Sequence, residues 1–376
     1  MRILVISDNY PAPNHPTNGV FVYNLVQQFA KLGHQVTVIA PVQVVPGKAK
    51  KGNVDYGQEL AKVYRPKYTS ISTKQIWKYN TYLLARKIQV RAIKRIVKKE
   101  KIEFDMVYCH FIKNALLAVE ALSQYNKPFI TAVGENRNIE KVQKWYDKKV
   151  YFKLFEKITA FVAVSDIVKQ KLLSMGVEEK NITVEPNGVD FSIYYKRENK
   201  VELRKKYNLP QDKVLLMFLG HFIENKGPLR VLEAAKNISK VGLLFVGEGS
   251  QNPEGEQIVF KQKVPRDRVP ELLSASDIFI LPTQHEGSSN AIVEAMACGL
   301  PIISSDIPEI RVQCNSDFSI LVDPNNIQQL RSAIIKLVDD IELRQSMSQK
   351  AIKHSQNFNI ESRAKRIIEF IQNHLQ

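Results

Sequence analysis

The chain has 376 residues, 44% of them hydrophobic and 24% charged, and a formal net charge of +16. That composition is ordinary for a soluble globular protein, and the length points to two or three domains. No apolar run approaches the roughly 18 to 20 residues of a membrane span, and Cys109, Cys298 and Cys314 offer neither a disulfide framework nor a paired metal-ligand spacing.

Arg2-Ile-Leu-Val-Ile-Ser7 reads as a first strand, because its apolar stretch ends at once in Ser7-Asp8 instead of running on as a signal peptide. A long loop, Asp8 to Gly19, leads into a helix from Phe21 to Leu32, and Gln35-Val-Thr-Val-Ile-Ala40 is the next strand. Between Gln43 and Lys101, 16 Lys and Arg stand against three acids, so one segment carries most of the net charge. Within it, 74–101 reads as a long helix whose apolar side packs on a sheet and whose basic side faces out. Such a surface suits an anionic membrane leaflet, at about 1 kcal/mol per Lys or Arg, or an acceptor carrying a lipid diphosphate. No helix-turn-helix, finger or RNP-like pattern accompanies the charge, so nucleic acid is not the expected partner.

Strand-like runs at Phe104–Cys109, Pro128–Ala132 and Ala160–Val164 complete a parallel α/β domain. Glu185-Pro-Asn-Gly-Val-Asp190 and the polar run to Lys200 read as a connection, which places a boundary near residue 195. A second α/β series follows, with strands at Val214–Leu219, Gly242–Val246, Gln257–Phe260, Asp277–Leu281, Pro301–Ser304 and Phe318–Val322. The tail from Ile360 to Gln376 is an amphipathic helix. The expected fold class is therefore α/β, with Rossmann-like parallel-sheet domains at 1–195 and 196–358 and a last helix at 359–376. Ligands of such sheets lie beyond the carboxyl ends of the strands, so two of these domains facing each other make a cleft.

The most informative stretch is Glu286-Gly-Ser-Ser-Asn-Ala-Ile-Val-Glu294, followed by Ala295-Met-Ala-Cys-Gly299. Leu281-Pro282 ends a strand, Gly287-Ser-Ser-Asn290 supplies turn and cap residues, and Ala291 onward has helix-forming composition. Free N–H groups and the dipole at that helix start favour a diphosphate. A carboxylate on either side is poor for phosphate but suits sugar hydroxyls, which donate hydrogen bonds to it. The segment resembles the Glu-seven residues-Glu motif of retaining group 1 glycosyltransferases, family four, with Ser276–Pro282 ahead and Pro301–Ser305 behind matching the flanking strands. The resemblance implies the GT-B fold, with a last helix that packs back on the first domain. It also implies that Glu286 contacts the transferred sugar, that Glu294 contacts the ribose, and that Ser289, Asn290 and Ala291 offer backbone N–H groups to the diphosphate, with Gly287 and Ser288 also on the donor side.

Other segments extend the resemblance. The family carries two glycines after the first strand; this chain has Asn18-Gly19, so only Gly19 is carried over, as a close backbone approach to phosphate. Phe104-Asp-Met-Val-Tyr-Cys-His110 resembles a strand ending on a His near the transferred sugar, with the imidazole aimed at a hydroxyl and the carbonyl at developing positive charge. Thr131-Ala-Val-Gly134 has Val133 where relatives have His, which leaves Glu135 and Asn136 as acceptor-side candidates. Gly220-His221 to Lys226-Gly227 keeps the family's Gly-to-Lys spacing of six but replaces its Arg by His221. Arg offers a permanent charge and a bidentate fork that His lacks, so Lys226 carries more of the phosphate charge, or His221 is held protonated by the diphosphate. Val264 lies in Lys263-Val-Pro265, the region that reads the base through backbone groups.

No P-loop, no dinucleotide Gly-x-Gly-x-x-Gly and no Asp-x-Asp at a strand end is present. With these absences, the resemblance implies a retaining, metal-independent hexosyltransferase with His110, Lys226 and Glu286 as catalytic candidates and no cofactor, the nucleotide sugar being a substrate linked to UDP or GDP. The expected setting is cytoplasmic, on the inner face of the cell membrane, in surface polysaccharide or glycolipid assembly. The alternatives are a GT-B sugar-nucleotide epimerase, which needs no acceptor, and a catalytically silent GT-B binding subunit.

Overall fold

The computed structural model describes residues 1–12, 18–44, 59–69, 75–76, 79–134, 136–144 and 146–375. They fall into two compact units, Met1–Pro186 with Ile360–Gln376, and Asn187–Asn359. The first unit is built on β1 (Arg2–Ile6), β2 (Gln35–Ile39), β3 (Lys62–Tyr64), β4 (Met106–His110), β5 (Phe129–Val133), β6 (Ala160–Ala163) and β7 (Ile182–Val184), in the order β7-β6-β5-β4-β1-β2-β3. Every pairing is parallel. Strands covered on both faces read as continuous apolar runs, and β4 and β5 are buried at every position.

The pleat sorts these side chains into two layers. Leu4 and Ile6 of β1 and Val107 and Cys109 of β4 pack with Ala115, Leu116 and Val119 of the Ile112–Leu122 helix. Ile3, Val5, Met106 and Tyr108 pack on the opposite face with Val22, Leu25 and Phe29 of the Val20–Lys31 helix. The last helix, Ile360–Leu375, adds Ala364, Ile367, Ile368 and Ile371 to that second layer. Their spacing places them along one helical stripe, and each buried Ile contributes about 1.5 to 3 kcal/mol. Arg366 fastens this helix through bonds of 2.8 to 3.0 Å to the Glu185 carboxylate, and Arg363 donates to the Glu185 carbonyl at 3.3 Å.

Two expectations about the chain path are corrected. The helix expected over 74–101 is shorter, Thr81–Lys99, because Gln75–Ile76 pairs antiparallel with Tyr79–Asn80 before it. Asn80 and Thr81 are of the types that open helices. The boundary expected near residue 195 falls after Pro186. Val189 donates its N–H to the Phe358 carbonyl at 2.7 Å, and Tyr194 is buried in the second core, which assigns this stretch to the second unit.

That unit contains β8 (Val214–Leu219), β9 (Val241–Val246), β10 (Ile258–Gln262), β11 (Ile278–Leu281), β12 (Ile302–Ser305) and β13 (Ser319–Val322), all parallel, in the order β10-β9-β8-β11-β12-β13. Asp277 clamps the amino ends of β8 and β11, accepting from Leu215 N–H at 2.7 Å, Lys200 at 2.6 Å and Arg204 at 2.6 Å. In both sheets the strand order reverses beside the first strand, between β1 and β4 and between β8 and β11. The crevice beyond the carboxyl ends at such a reversal is where this sheet type binds ligands.

Candidate functional site

At the reversal in the second unit, the loops after β8 and β11 are stitched together. Gln284 N–H donates to the Asn225 carbonyl at 2.8 Å, the Asn225 amide donates to the His285 carbonyl at 3.1 Å, and Arg230 donates to the Pro282 carbonyl at 2.9 Å. Gly227 takes φ 73° and turns the chain into the Pro228–Ala235 helix, which leaves Lys226 pointing back across the loops. There Lys226 Nζ ion-pairs with Glu286 Oε1; the side chains keep 20% and 8% of their exposure. The contact joins two residues 60 apart in sequence that the motifs assigned to phosphate and to sugar.

The loop after Glu286 is held rigidly. Asn187 donates its backbone N–H to Ser288 Oγ and its amide to the Ser288 carbonyl, both at 3.1 Å. Buried Gln313 accepts from Ser289 N–H at 2.7 Å and donates to Ser288 Oγ at 3.2 Å and to the Ser289 carbonyl at 3.3 Å. This corrects the expectation that Ser289 offers its N–H to a diphosphate, since Gln313 already uses it. Gly287 is buried. The Asn290–Ala297 helix begins next, and among the described residues no partner is seen for the N–H groups of Asn290 and Ala291. Those two groups and the helix dipole remain for an anion.

Glu294 sits one turn inside that helix. Arg266 lies 3.7 Å from its Oε1 and donates from Nε to the hydroxyl of buried Tyr194 at 3.3 Å. Burial pushes the Glu294 pKa up, against the pull of Arg266 and Tyr194. His221 is exposed at the end of β8. Beside it Gly247 approaches so closely that a Cβ there would stand 1.9 Å from the Gly220 carbonyl oxygen. Val264 is 6% exposed and belongs to the core, so its side chain is not open to a ligand.

At the reversal in the first unit stands His110, 2% exposed and enclosed edge-on by Phe21 and Phe111, each 5.1 Å away between ring centroids. A sugar hydroxyl meets this imidazole only if an aromatic neighbour moves. Phe111 takes φ 73°, a strained conformation outside glycine that concentrates at functional sites. The His110 carbonyl accepts from Asn114 Nδ2 at 2.7 Å; the same amide donates to Asp8 Oδ1 at 3.0 Å, and Lys113 ion-pairs with Asp8. Burial opposes the charge on Asp8, but Lys113 and Asn114 hold its pKa below the usual range. Gly19 takes φ 64°, and a Cβ there would stand 2.0 Å from the Asn9 carbonyl oxygen, so its close approach is to the chain's own first loop. Glu135 lies outside the described residues, and Asn136 opens the Asn136–Gln143 helix.

Burial, with Arg363 adding to it, lowers the His110 pKa to about 3, so this imidazole is neutral throughout the physiological range. The unfolded chain protonates near pH 6.5. Between these values the unfolded state binds the extra proton, so stability falls as pH drops, by up to about 1.4 kcal/mol per pH unit. Urea midpoints measured across this range should show that slope, flattened in His110→Gln.

Residues 19–192 match the family model described as Glycosyltransferase Family 4, and residues 199–354 match the one described as Glycosyl transferases group 1. The chain belongs to glycosyltransferase family four. TuaC of Bacillus subtilis (strain 168), a glycosyltransferase named for teichuronic acid biosynthesis, is 29% identical over 358 residues, 89% of each chain. The UDP-Gal:alpha-D-GlcNAc-diphosphoundecaprenol alpha-1,3-galactosyltransferase of Escherichia coli is 28% identical over 295 residues, 73% of this chain and 76% of that one. Sucrose-phosphate synthase from Thermosynechococcus elongatus superposes with a TM-score of 0.81 at 18% identity, covering 99% of this chain and 98% of that one. The shared architecture is the GT-B fold.

In this glycosyltransferase the structure brings Lys226, Glu286 and the Asn290 helix start together at one crevice, with Glu294 inside the same helix. It also shows residues that the motifs did not single out. Asn187 was legible only as part of a turn-rich connection, and Arg266 stands directly after the Lys263-Val-Pro265 segment. Asp8 closes the first strand in plain view. Gln313 has no local signal, because its partners lie 24 and 25 residues earlier in the chain.

Proposed function

We propose that this glycosyltransferase of polysaccharide or glycolipid biosynthesis moves a hexose-type sugar from a UDP- or GDP-linked donor to a saccharide or lipid-linked acceptor, with retention and without a metal. The observation that carries the reading is the Lys226–Glu286 ion pair beside the free N–H groups of Asn290 and Ala291. A diphosphate entering this crevice draws Lys226 away from Glu286, and the released carboxylate accepts hydrogen bonds from the sugar. His221 is exposed beside the same crevice and adds a donor to the phosphates. Glu294 meets the ribose. As the glycosidic bond loosens to an oxocarbenium-like state, negative charge grows on the leaving diphosphate, where Lys226 and the helix start stabilise it. The acceptor hydroxyl attacks from the leaving-group face and a phosphate oxygen takes its proton, which gives retention. The Escherichia coli relative named above, with a UDP-sugar donor and a sugar-diphosphate lipid acceptor, supports both substrate classes.

The test is product analysis with UDP-, GDP- and ADP-hexoses in the presence of EDTA, offering simple glycosides and a short-chain N-acetylglucosaminyl diphosphate lipid as acceptors. Anomeric coupling constants of the product should match those of the donor. An inverted product, or turnover that stops when metal is removed, contradicts the reading.

We further propose that the protein docks on an anionic membrane surface. No helix among the described residues is long and apolar enough to cross a membrane. Along Thr81–Lys99, however, Leu84, Lys87, Arg91, Lys94 and Lys98 are all exposed at alternating spacings of three and four, a single stripe with Arg95 and Lys99 beside it. Leu84 heads the stripe at 62% exposure, while Val90, Ile93 and Val97 pack inward. Reversing the charge of Arg91, Lys94, Arg95 and Lys98 should lower partition onto phosphatidylglycerol vesicles at least ~10³-fold in co-sedimentation, at about 1 kcal/mol per lost cation. Unchanged partition removes the docking surface.

A further inference from the structure

Arg266, Tyr194 and Glu294 form a chain linked through the guanidinium. Arginine nitrogens only donate, so the 3.3 Å contact from Arg266 Nε makes the Tyr194 hydroxyl oxygen an acceptor. The phenol hydrogen is thereby turned away from the guanidinium, and Glu294 is the carboxylate whose charge bears on this hydroxyl. The guanidinium also lies 5.8 Å from the Tyr194 ring centroid and 3.7 Å from Glu294 Oε1, close enough for strong attraction without a direct hydrogen bond. Tyr194 is 1% exposed, so the chain is fixed by packing as well as by polarity. Three segments distant in sequence meet here: the Asp190–Tyr194 connection, the turn after Pro265, and the Asn290–Ala297 helix.

We propose that Arg266 and Tyr194 are positioning residues that hold Glu294 charged and oriented as the acceptor for both hydroxyls of the donor's ribose, so that this clamp makes nucleotide binding depend on an intact vicinal diol. The proposal rests on the reading of Glu294 as the ribose contact. A carboxylate inside a largely buried helix turn takes up a proton readily, and a protonated carboxyl has lost part of the acceptor capacity that two donating hydroxyls require. Among the described residues, the groups facing the pair are Tyr194 and Asp190 from the connection, Arg266 from the turn, and Cys298 beyond the helix end. Arg266 is the cation among them. Without it, Glu294 keeps its burial but loses the cation 3.7 Å away, and its protonation moves to higher pH.

The experiment is calorimetric titration of UDP, GDP and their 2′,3′-dideoxy counterparts into wild type, Arg266→Gln, Arg266→Lys and Tyr194→Phe, at about pH 6 and about pH 8.5. Wild type should bind the ribonucleotide of the accepted base at least ~10-fold tighter than its dideoxy form at both pH values. Arg266→Gln should bind the two alike at the lower pH and regain part of the preference at the higher. Arg266→Lys should keep most of the preference, and Tyr194→Phe should lose several-fold of it at unchanged thermal stability. Equal loss for ribo and dideoxy forms in Arg266→Gln, or an undiminished preference in Arg266→Gln and Tyr194→Phe, overturns the clamp. Wild type that binds a nucleotide without regard to the diol overturns the ribose reading of Glu294, and wild type that binds neither nucleotide overturns the donor reading itself.

Discussion

Glu286→Gln should lower sugar transfer by about 100-fold or more while changing affinity for the free nucleoside diphosphate by less than about threefold. The substitution keeps the shape of the side chain and its room in the loop, where Glu286 is 8% exposed. What it removes is charge, and that charge has two uses. In the unliganded protein it pairs with Lys226 across the loops after β8 and β11. On the proposed assignment, the carboxylate accepts from the bound sugar as positive charge builds at the anomeric carbon, an interaction stronger in the transition state than before it. A loss confined to turnover therefore marks the sugar-side carboxylate. Steady-state rates with the accepted donor, alongside titration of the nucleotide alone, check the split; a parallel loss in both would assign Glu286 to the phosphates.

Lys226→Ala should have the opposite signature and nearly as large an effect. Nucleotide affinity should fall about 30-fold or more, since a charge-assisted bond to phosphate contributes roughly 1.5 to 3 kcal/mol, and turnover should fall with it. The same variant strands the Glu286 carboxylate without its cation. Stranding a fully buried charge costs roughly 3 to 5 kcal/mol; Glu286 is itself 8% exposed and removal of the 20% exposed Lys226 side chain lets water reach it, which brings the expected loss of stability nearer to about 2 kcal/mol. Combining Lys226→Ala with Glu286→Gln should restore most of that stability and none of the activity. A double-mutant cycle on urea midpoints measures the coupling directly, and purely additive losses would mean that the pair is not formed in solution.

Much of the fold was legible because parallel strands buried on both faces leave uninterrupted apolar runs. Met106–His110 and Ile278–Leu281 are such runs, and each ends on the side of the sheet where its loop carries candidate residues. The stripe of Ala364, Ile367, Ile368 and Ile371 likewise identified the last helix before any partner was known. The start of the basic helix was misplaced because nothing in the local composition announces that Gln75–Ile76 pairs with Tyr79–Asn80. The unit boundary was misplaced by nine residues because a mostly polar stretch can be tied down by a few residues, as by Val189 bonded to Phe358 and Tyr194 buried in the core.

The site divides in the same way. Glu286, Lys226 and Glu294 stood out through the Glu-seven residues-Glu and Gly-to-Lys spacings they share with the family, and the structure sets Lys226 against Glu286. Gln313 and Asn187 were not, because an amide that braces a loop looks like any other surface amide until the loop is in place. Ser289 shows the consequence: its N–H looked free from helix geometry alone, yet Gln313 occupies it. His110 was found for its place at a strand end, while the aromatic enclosure that keeps it neutral comes from Phe21, 89 residues earlier in the chain.

The measurement closest to the central claim is calorimetric titration, with EDTA present, of wild type and Glu286→Gln against UDP, GDP, ADP and their hexose conjugates. The claim that Lys226 and the helix start hold the diphosphate while Glu286 holds the sugar predicts binding of one base family without metal, a conjugate that binds wild type at least ~10-fold tighter than the bare nucleotide, and loss of that increment in Glu286→Gln. An increment of the same size in both proteins, or no binding of any nucleotide at millimolar concentration, would contradict it.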